Sequence, residues 1–370
     1  MPESRPPRFM RAIAIDRYGG PEELRETELP VPEPRTGEVR VRIRAVSVNP
    51  VDWKMRRGAQ APQQFGTQAP PQSGAQAQPL QLVLGRDVAG EIDALGPGVT
   101  GVEVGERVFG ALLGPRSNGA YAQYACAPLP FFGPKPGSLS FAQAAAVPIA
   151  GMTAYVSLVF KARMRAGETL FVAGGAGGVG VHAIPLARRL GAETVLTTAG
   201  SAESQAFLER ELKVPAGHIL RYDGLTLEEM AERVLAMNGG RPVMTACDFV
   251  GGTMKRLCCR VVEFDGQVVT AVEEPPDFDL NVWSARAGPL RARSASLHLV
   301  NLGARAREGT PADWETYRDA LSTLGHWLET GHIPPPPLTL LGPLDEATLR
   351  EAHRRLEAGH VRGKLVLTVA

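Results

Sequence analysis

Apolar and basic positions alternate strictly over Val39-Arg40-Val41-Arg42-Ile43-Arg44. That is the period of a half-buried strand, and it assigns the three arginines to the solvated side. An apolar run from Met10 to Ile15 precedes it. Short runs follow between Val83 and Phe109, separated by Gly96-Pro97-Gly98, Gly101 and Gly105. Closely spaced strands with glycine turns predict a small antiparallel barrel or sandwich. The pattern changes after Pro148 to Tyr155, which reads as a hinge. Runs at Thr169–Ala173, Thr194–Thr198, His218–Tyr222, Met244–Val250, Gly266–Val272 and Leu297–Leu302 are spaced by segments of helical period, Val179–Leu190, Ser201–Leu212 and Leu227–Met237 among them. Repeated βα units predict a parallel, doubly wound sheet of Rossmann type. Helices over Pro311–Thr330 and Leu344–Glu357 and a strand over Lys364–Val369 complete the pattern, and that strand returns to the first domain. The expected division is residues 1–150 with 311–370, and residues 151–310.

One turn in this pattern carries chemistry. Leu170-Phe171-Val172-Ala173 leads into Gly174-Gly175-Ala176-Gly177-Gly178-Val179-Gly180, and an amphipathic helix follows. Gly175-x-Gly177-x-x-Gly180 between a strand and a helix is the dinucleotide-binding fingerprint in the context it requires. Gly175 is expected to allow the tight turn, Gly177 to admit a pyrophosphate, and Gly180 to let helix and strand pack closely. The helix N-terminus then offers free N–H groups and partial positive charge to the phosphates.

Composition narrows the function classes. The 370 residues are 44% hydrophobic and 21% charged, with a formal net charge of +1, which argues against nucleic acid or an anionic membrane as partner. No apolar run is long enough to span a bilayer, and no signal-peptide core precedes Met10. Four cysteines, Cys126, Cys247, Cys258 and Cys259, form no C-x-x-C pair and suggest a reducing, cytoplasmic setting. Cys258 and Cys259 fall on a predicted helix about 100° apart, as buried small residues rather than a redox pair. Residues 58–81 hold mostly Gly, Ala, Gln and Pro; they form either an insertion without a role or a flap near the substrate.

Val48-Asn49-Pro50-Val51-Asp52-Trp53-Lys54, Leu84-Gly85-Arg86-Asp87-Val88-Ala89-Gly90, Gly119-Ala120-Tyr121-Ala122-Gln123-Tyr124, the glycine turn and the ending Gly359-His360-Val361-Arg362-Gly363-Lys364 occur in an order that resembles the medium-chain dehydrogenase/reductase superfamily. Within it, the pattern is most similar to the zinc-free quinone oxidoreductases, and among those to the reticulon-4-interacting-protein-like NADPH oxidoreductases. The resemblance implies an α/β chain with a GroES-like antiparallel β-barrel domain, a Rossmann domain and a homodimer. It also implies hydride transfer from NADPH to a small-molecule substrate, a quinone or an α,β-unsaturated carbonyl compound. Two other readings stay open: an enoyl-thioester reductase, and an NADPH-binding protein without turnover. Zinc relatives hold their catalytic metal with a Cys, a His and a second Cys. Here those places read Asn49-Pro50 and Gly85-Arg86-Asp87, so no metal is expected.

The cofactor preference is read at the end of the second parallel strand. Thr197-Thr198-Ala199-Gly200-Ser201 stands where NAD sites carry an acidic residue. Hydroxyls suit a 2′-phosphate, which a carboxylate would repel. Thr198 and Ser201 are therefore expected to contact NADPH, with Ser201 also a helix N-cap and Arg221 an accessory cation. The resemblance adds Tyr222 at the adenosine and Thr153 at the carboxamide end. Gly175, Ala176, Gly177, Gly178, Val179 and Gly180 cradle the pyrophosphate, while Val250 and Thr270 follow strands whose carboxyl ends face ligands in such sheets. For catalysis, Lys54 is either the donor to the substrate carbonyl or a surface lysine. Asn49 resembles the residue that contacts the nicotinamide ribose or substrate. Asp52 either orients Lys54 or Asn49, or caps a helix beginning at Trp53. Tyr121 is either a further donor or a packed barrel aromatic.

Overall fold

The computed structural model describes residues 7–59, 81–114, 119–282 and 288–370. Nearly all of the 58–81 insertion lies outside them. The chain divides into two compact units: residues 1–149 with 302–331 and 338–370, and residues 150–301 with 332–337. The chain thus re-enters the first unit at Leu302, nine residues before the expected position, through a helix Leu302–Glu308 that precedes the long helix Pro311–Glu329.

The first unit begins with strands β1 (Phe9–Ile15), β2 (Arg25–Pro30), β3 (Glu38–Val48), β4 (Leu82–Val83), β5 (Asp87–Leu95), β6 (Arg107–Ala111), β7 (Tyr124–Pro128) and β8 (Phe132–Pro134). The second carries β9 (Thr169–Ala173), β10 (Thr194–Ala199), β11 (Ile219–Arg221), β12 (Val243–Asp248), β13 (Val262–Thr270) and β14 (Ser296–Leu299). Two last strands, β15 (Leu338–Pro343) and β16 (Lys364–Thr368), rejoin the first unit. There they extend a largely antiparallel sheet of order β15-β16-β3-β5-β6-β8, with β7 also on β3; a smaller sheet has the order β2-β1-β4. The predicted closing strand does return, pairing Leu365 with Val48 and Val366 with Ser47.

The long strand β3 corrects one expectation. Of its three alternating arginines only Arg42 is exposed. Arg40 is buried, with Nε and Nη2 donating to Asp93 at 2.9 and 3.2 Å and Nη1 to the Pro32 carbonyl. Arg44 is half-buried and pairs with Glu91 at 2.8 Å. Alternation alone does not reveal carboxylates on the neighbouring strand that let a guanidinium be covered.

The second unit is a parallel sheet of order β11-β10-β9-β12-β13-β14. From β9 the chain winds outward through β10 to β11, then crosses to β12 and winds the other way. The reversal falls beside β9, and such switch points open the crevice where ligands bind. Phe171, Leu196, Leu220, Val234, Leu257 and Val268 share a core with Cys258 and Cys259, both fully buried on the helix Thr253–Val261. Burial pushes the Cys259 thiol up to about 12 and Cys258 well above its ordinary value, so both act as apolar packing. The helix Pro148–Tyr155 is followed by a π-helical turn, Val156–Lys161, which the hydrophobic pattern did not suggest.

Candidate active site

The glycine turn follows β9, and each glycine meets a different constraint. Gly174 has φ +88°, so the left-handed bend belongs to it rather than to Gly175 as expected. A Cβ on Gly175 would stand 2.1 Å from Thr197 Oγ1, and one on Gly180 would stand 2.3 Å from the Gly174 carbonyl oxygen. At Gly177 the nearest atom would be 3.3 Å away. Gly175 and Gly180 therefore let strand, turn and helix close on one another, whereas at Gly177 a Cβ would press only slightly on the Gly174 carbonyl oxygen. The helix Gly180–Arg189 starts directly behind, with Gly178 and Val179 at its mouth.

The end of β10 holds this turn in place. Thr198 Oγ1 accepts from Gly174 N at 3.0 Å, Thr197 Oγ1 accepts from Gly175 N at 3.1 Å, and Thr197 donates to the Val172 carbonyl at 2.7 Å. Two threonines thus support the turn from the adjacent strand. Ser201 is the N-cap of the helix Ala202–Leu212 and accepts from Ser204 N at 3.2 Å. The Tyr222 hydroxyl lies over Gly200, where a Cβ would be 2.5 Å away. Arg221 is paired with Asp223 at 2.5 Å.

At the carboxyl ends of β12 and β13 a polar cluster fixes the loops. The buried Asp248 accepts from Val250 N at 3.0 Å and Gly251 N at 2.7 Å, and from Thr270 Oγ1 at 2.8 Å. Lys255 donates to Glu274 at 2.8 Å and to the Val272 carbonyl at 2.9 Å, and Glu274 accepts from Gly252 N at 2.7 Å. Thr270 is buried and committed to Asp248, so it shapes the loop; Val250 is the exposed side chain there. Thr153 is buried in the helix Pro148–Tyr155, its carbonyl accepting from Ser157 Oγ at 2.7 Å.

In the first unit, β3 delivers Asn49 to the N-cap of a helix that runs from Pro50 to Arg56, starting three residues before Trp53. Asn49 Nδ2 donates to Asp87 Oδ2 at 2.8 Å, and Asn49 Oδ1 accepts from Lys364 Nζ at 2.5 Å. Asp87 Oδ2 also accepts from Ser47 Oγ at 2.6 Å and Lys364 Nζ at 3.3 Å, while Oδ1 accepts from Ile149 N at 2.8 Å. The lysine brought to this cluster is Lys364, from the start of β16. Lys54 lies half-buried with its ammonium 6.0 Å from the Trp53 ring.

Asp52 is fully buried and binds back to Asn49 N at 2.8 Å, which settles its helix-capping role, and it accepts from the Tyr121 hydroxyl at 3.0 Å. Tyr121 is both a packed aromatic and a hydrogen-bond donor. Behind it stand His353 and Arg56. Arginine only donates, so the contact between Arg56 Nη1 and His353 Nδ1 at 3.1 Å leaves the ring proton on Nε2, 3.3 Å from the Tyr121 oxygen. The bonds run Arg56 to His353 to Tyr121 to Asp52. Burial pushes the Asp52 carboxyl up to about 7, against its Asn49 bond and the nearby Arg86 guanidinium. Burial and Arg56 push His353 down to about 3.

These two shifts have opposite signs in stability. A depressed histidine costs stability as pH falls below 6.5 toward about 3, because the unfolded chain takes the proton first. A raised carboxyl favours the folded state on acidification from about 7 toward 3.8. Replacing His353 with glutamine removes the first effect only. Urea midpoints at several pH values are expected to shift in favour of His353→Gln, relative to the parent chain, as pH falls below 6.5. A constant difference across that range would show that His353 does not titrate with unfolding.

Arg86 is the last member. It is buried, donating to the Leu112 carbonyl at 2.6 Å and toward Met55 Sδ at 3.3 Å, and burial lowers it to about 10. Among the described residues no group of three or more His, Cys, Asp or Glu could hold a metal, and no helix is long and apolar enough to cross a membrane.

The model of the alcohol dehydrogenase GroES-like domain matches residues 35–150, and that of the zinc-binding dehydrogenases matches residues 216–367. The second description implies zinc, which asks for thiolate and imidazole ligands. The cluster offers an amide and a carboxylate already engaged, an ammonium and a guanidinium, which does not fit it. The quinone oxidoreductase of Homo sapiens is 35% identical over 199 residues, 54% of this chain and 55% of that protein, so the chain spans about half the length of such relatives. A 2-methylene-furan-3-one reductase of Solanum lycopersicum is 30% identical over 98% of this chain and 79% of that protein. Among solved structures, the quinone oxidoreductase of Coxiella burnetii superposes with a TM-score of 0.76 at 28% identity, covering 98% of this chain and all of that one. A parallel sheet with a glycine turn at its switch point, a GroES-like unit and a full-length likeness to a reductase place the chain: it belongs to the medium-chain dehydrogenase/reductase superfamily.

Proposed function

We propose that this oxidoreductase reduces a quinone or an α,β-unsaturated carbonyl compound with NADPH and without zinc. The observation that carries the reading is the donor set around Asn49. Where a metal-dependent relative needs soft ligands, this chain joins the buried Asn49, Asp87 and Lys364, with the Arg86 guanidinium buried next in sequence to Asp87. Asn49 keeps one amide hydrogen for a substrate oxygen, while the amide, carboxylate, ammonium and guanidinium offer a zinc ion neither thiolate nor imidazole. The names of the two curated relatives, a quinone oxidoreductase and a reductase of an exocyclic enone, support the substrate class.

NADPH, when bound, supplies the hydride. The chain would hold it through the N–H groups of Gly175 to Gly180, with Thr198, Ser201 and Tyr222 toward the adenosine. Its own catalytic task is to donate hydrogen bonds to the oxygen on which charge develops, and Asn49 is the side chain assigned to it. Lys54, the alternative donor by its charge, lies with its ammonium 6.0 Å from the Trp53 ring centroid. Solvent supplies the proton that completes reduction. The exposed edge of the sheet at β14, with Leu299 68% and Leu297 37% exposed, is the surface proposed for pairing with a second copy. In this reading the protein works in the cytoplasm.

The test is loss of NADPH absorbance with a panel of quinones, enones and enoyl-thioesters. Turnover with the first two classes, unchanged after dialysis against a zinc chelator, supports the reading. Turnover with thioesters alone would favour an enoyl-thioester reductase, and tight NADPH binding without turnover would favour a regulatory role. The cofactor preference has its own check. Arg221→Ala is expected to raise the KM for NADPH about tenfold by removing a charge-assisted contact to the 2′-phosphate, with NADH unaffected. Equal changes for both cofactors would remove Arg221 from the site.

A further inference from the structure

The ending Gly363-Lys364 places a buried ammonium in the cluster around Asn49, and the functional reading does not account for why a charge is held there. Lys364 Nζ donates to Asn49 Oδ1 at 2.5 Å and reaches Asp87 Oδ2 at 3.3 Å. Asn49 Nδ2 donates to that same carboxylate oxygen at 2.8 Å. Lys364 and Asn49 are 3% exposed and Asp87 is fully buried.

The chemistry of the two neighbours fixes the amide. An ammonium only donates and an ionised carboxylate only accepts, so each end of the Asn49 carboxamide has one compatible neighbour. A flipped amide would set N–H against the ammonium and oxygen against the carboxylate, losing two charge-assisted bonds in a buried place. One Nδ2 hydrogen is committed to Asp87. The direction of the second is then fixed by the same lock, whereas asparagine alone would leave it free to rotate.

We propose that Lys364 is a positioning residue that locks Asn49 so that its second amide hydrogen points at the substrate oxygen. The proposal deepens the reductase reading and rests on it. Lys364 touches neither substrate nor cofactor and acts through Asn49. Asp87 completes the lock, and its bonds from Ser47 Oγ and Ile149 N hold the carboxylate still. Preorganised donors aimed at developing charge are the largest single contribution in many enzymes, which gives a fixed amide its value.

A double-mutant cycle on the full chain tests this, with 2-cyclohexenone as substrate and NADPH titrated separately. Lys364→Met is expected to lower kcat about tenfold or more, with the KM for NADPH within about twofold. In an Asn49→Ala background the same change should cost nothing further, because the side chain through which it acts is gone. Lys364→Met within twofold of the parent, or equal losses in both backgrounds, would overturn the proposal. If Lys364→Met does not fold, the cycle is run with Lys364→Arg. That variant keeps the buried charge but offers a wider head to Asn49, and coupled or additive losses decide as before. The functional reading fails separately: it falls if the parent chain turns over no enone or quinone, whereas additive losses in an active parent overturn the role of Lys364 alone.

Discussion

Gly177→Ala is expected to keep close to the parent's stability and to bind NADPH at least about a hundredfold more weakly, whereas Gly180→Ala is expected to weaken binding and to lower stability as well. The difference lies in what a methyl group meets. At residue 177 the nearest atom, the Gly174 carbonyl oxygen, would be 3.3 Å away, so a shift of a few tenths of an ångström admits the added carbon. The methyl then occupies the space through which a pyrophosphate would approach the backbone. At residue 180 the methyl would lie 2.3 Å from that carbonyl oxygen and 2.5 Å from Gly175 Cα. These are backbone atoms that cannot swing aside, and overpacking of this kind costs about 1–3 kcal/mol. Titration of NADPH fluorescence beside thermal unfolding separates the two variants. If Gly177→Ala keeps parental affinity, the turn does not carry the pyrophosphate.

Arg56→Met is expected to destabilise the protein by about 3–5 kcal/mol, the usual cost of removing one partner of a buried ion pair. The Arg56 side chain is fully buried, donating to the Gly19 carbonyl at 3.1 Å, to His353 and to Glu357. Methionine fills the volume and leaves Glu357 with only the half-exposed Arg57. His353 loses the donor that fixes its tautomer, and Tyr121 then loses its ring N–H partner. Adding Glu357→Gln removes the unpaired charge and should recover part of the loss. Urea midpoints of the parent, the single and the double variant check this. A single variant as stable as the parent would mean that the arginine is replaceable by any side chain of its size.

Much of this architecture was legible because its determinants are local. The turn from Gly174 to Gly180 announces itself within seven consecutive residues, flanked by a strand and a helix that the hydrophobic period picks out. The alternation of strands and helices from Thr169 to Met237 is local in the same sense. What could not be read was cross-chain partnership. Arg40 looks solvated until Asp93 is placed beside it. Lys54 is the local candidate because it is a cation in the same short stretch as Asn49, while Lys364, which reaches Asn49, stands 315 residues away in sequence. His353 gave no signal, since a lone histidine on a helix shows nothing of the tyrosine and arginine that enclose it. The bend at Gly174 rather than Gly175 turned on one dihedral angle.

The lateral position of β16, between β15 and β3, also orders events during synthesis. Residues 150–301 form most of the second unit as one nearly continuous stretch and can collapse as soon as they leave the ribosome. The first unit's sheet must wait for a strand made more than three hundred residues after Asn49. Until then the Ala45–Val48 end of β3 lacks the strand that pairs with it. A nascent chain stalled before Leu338 should therefore be a half-assembled molecule, its nucleotide sheet formed and its β3 edge dependent on chaperones.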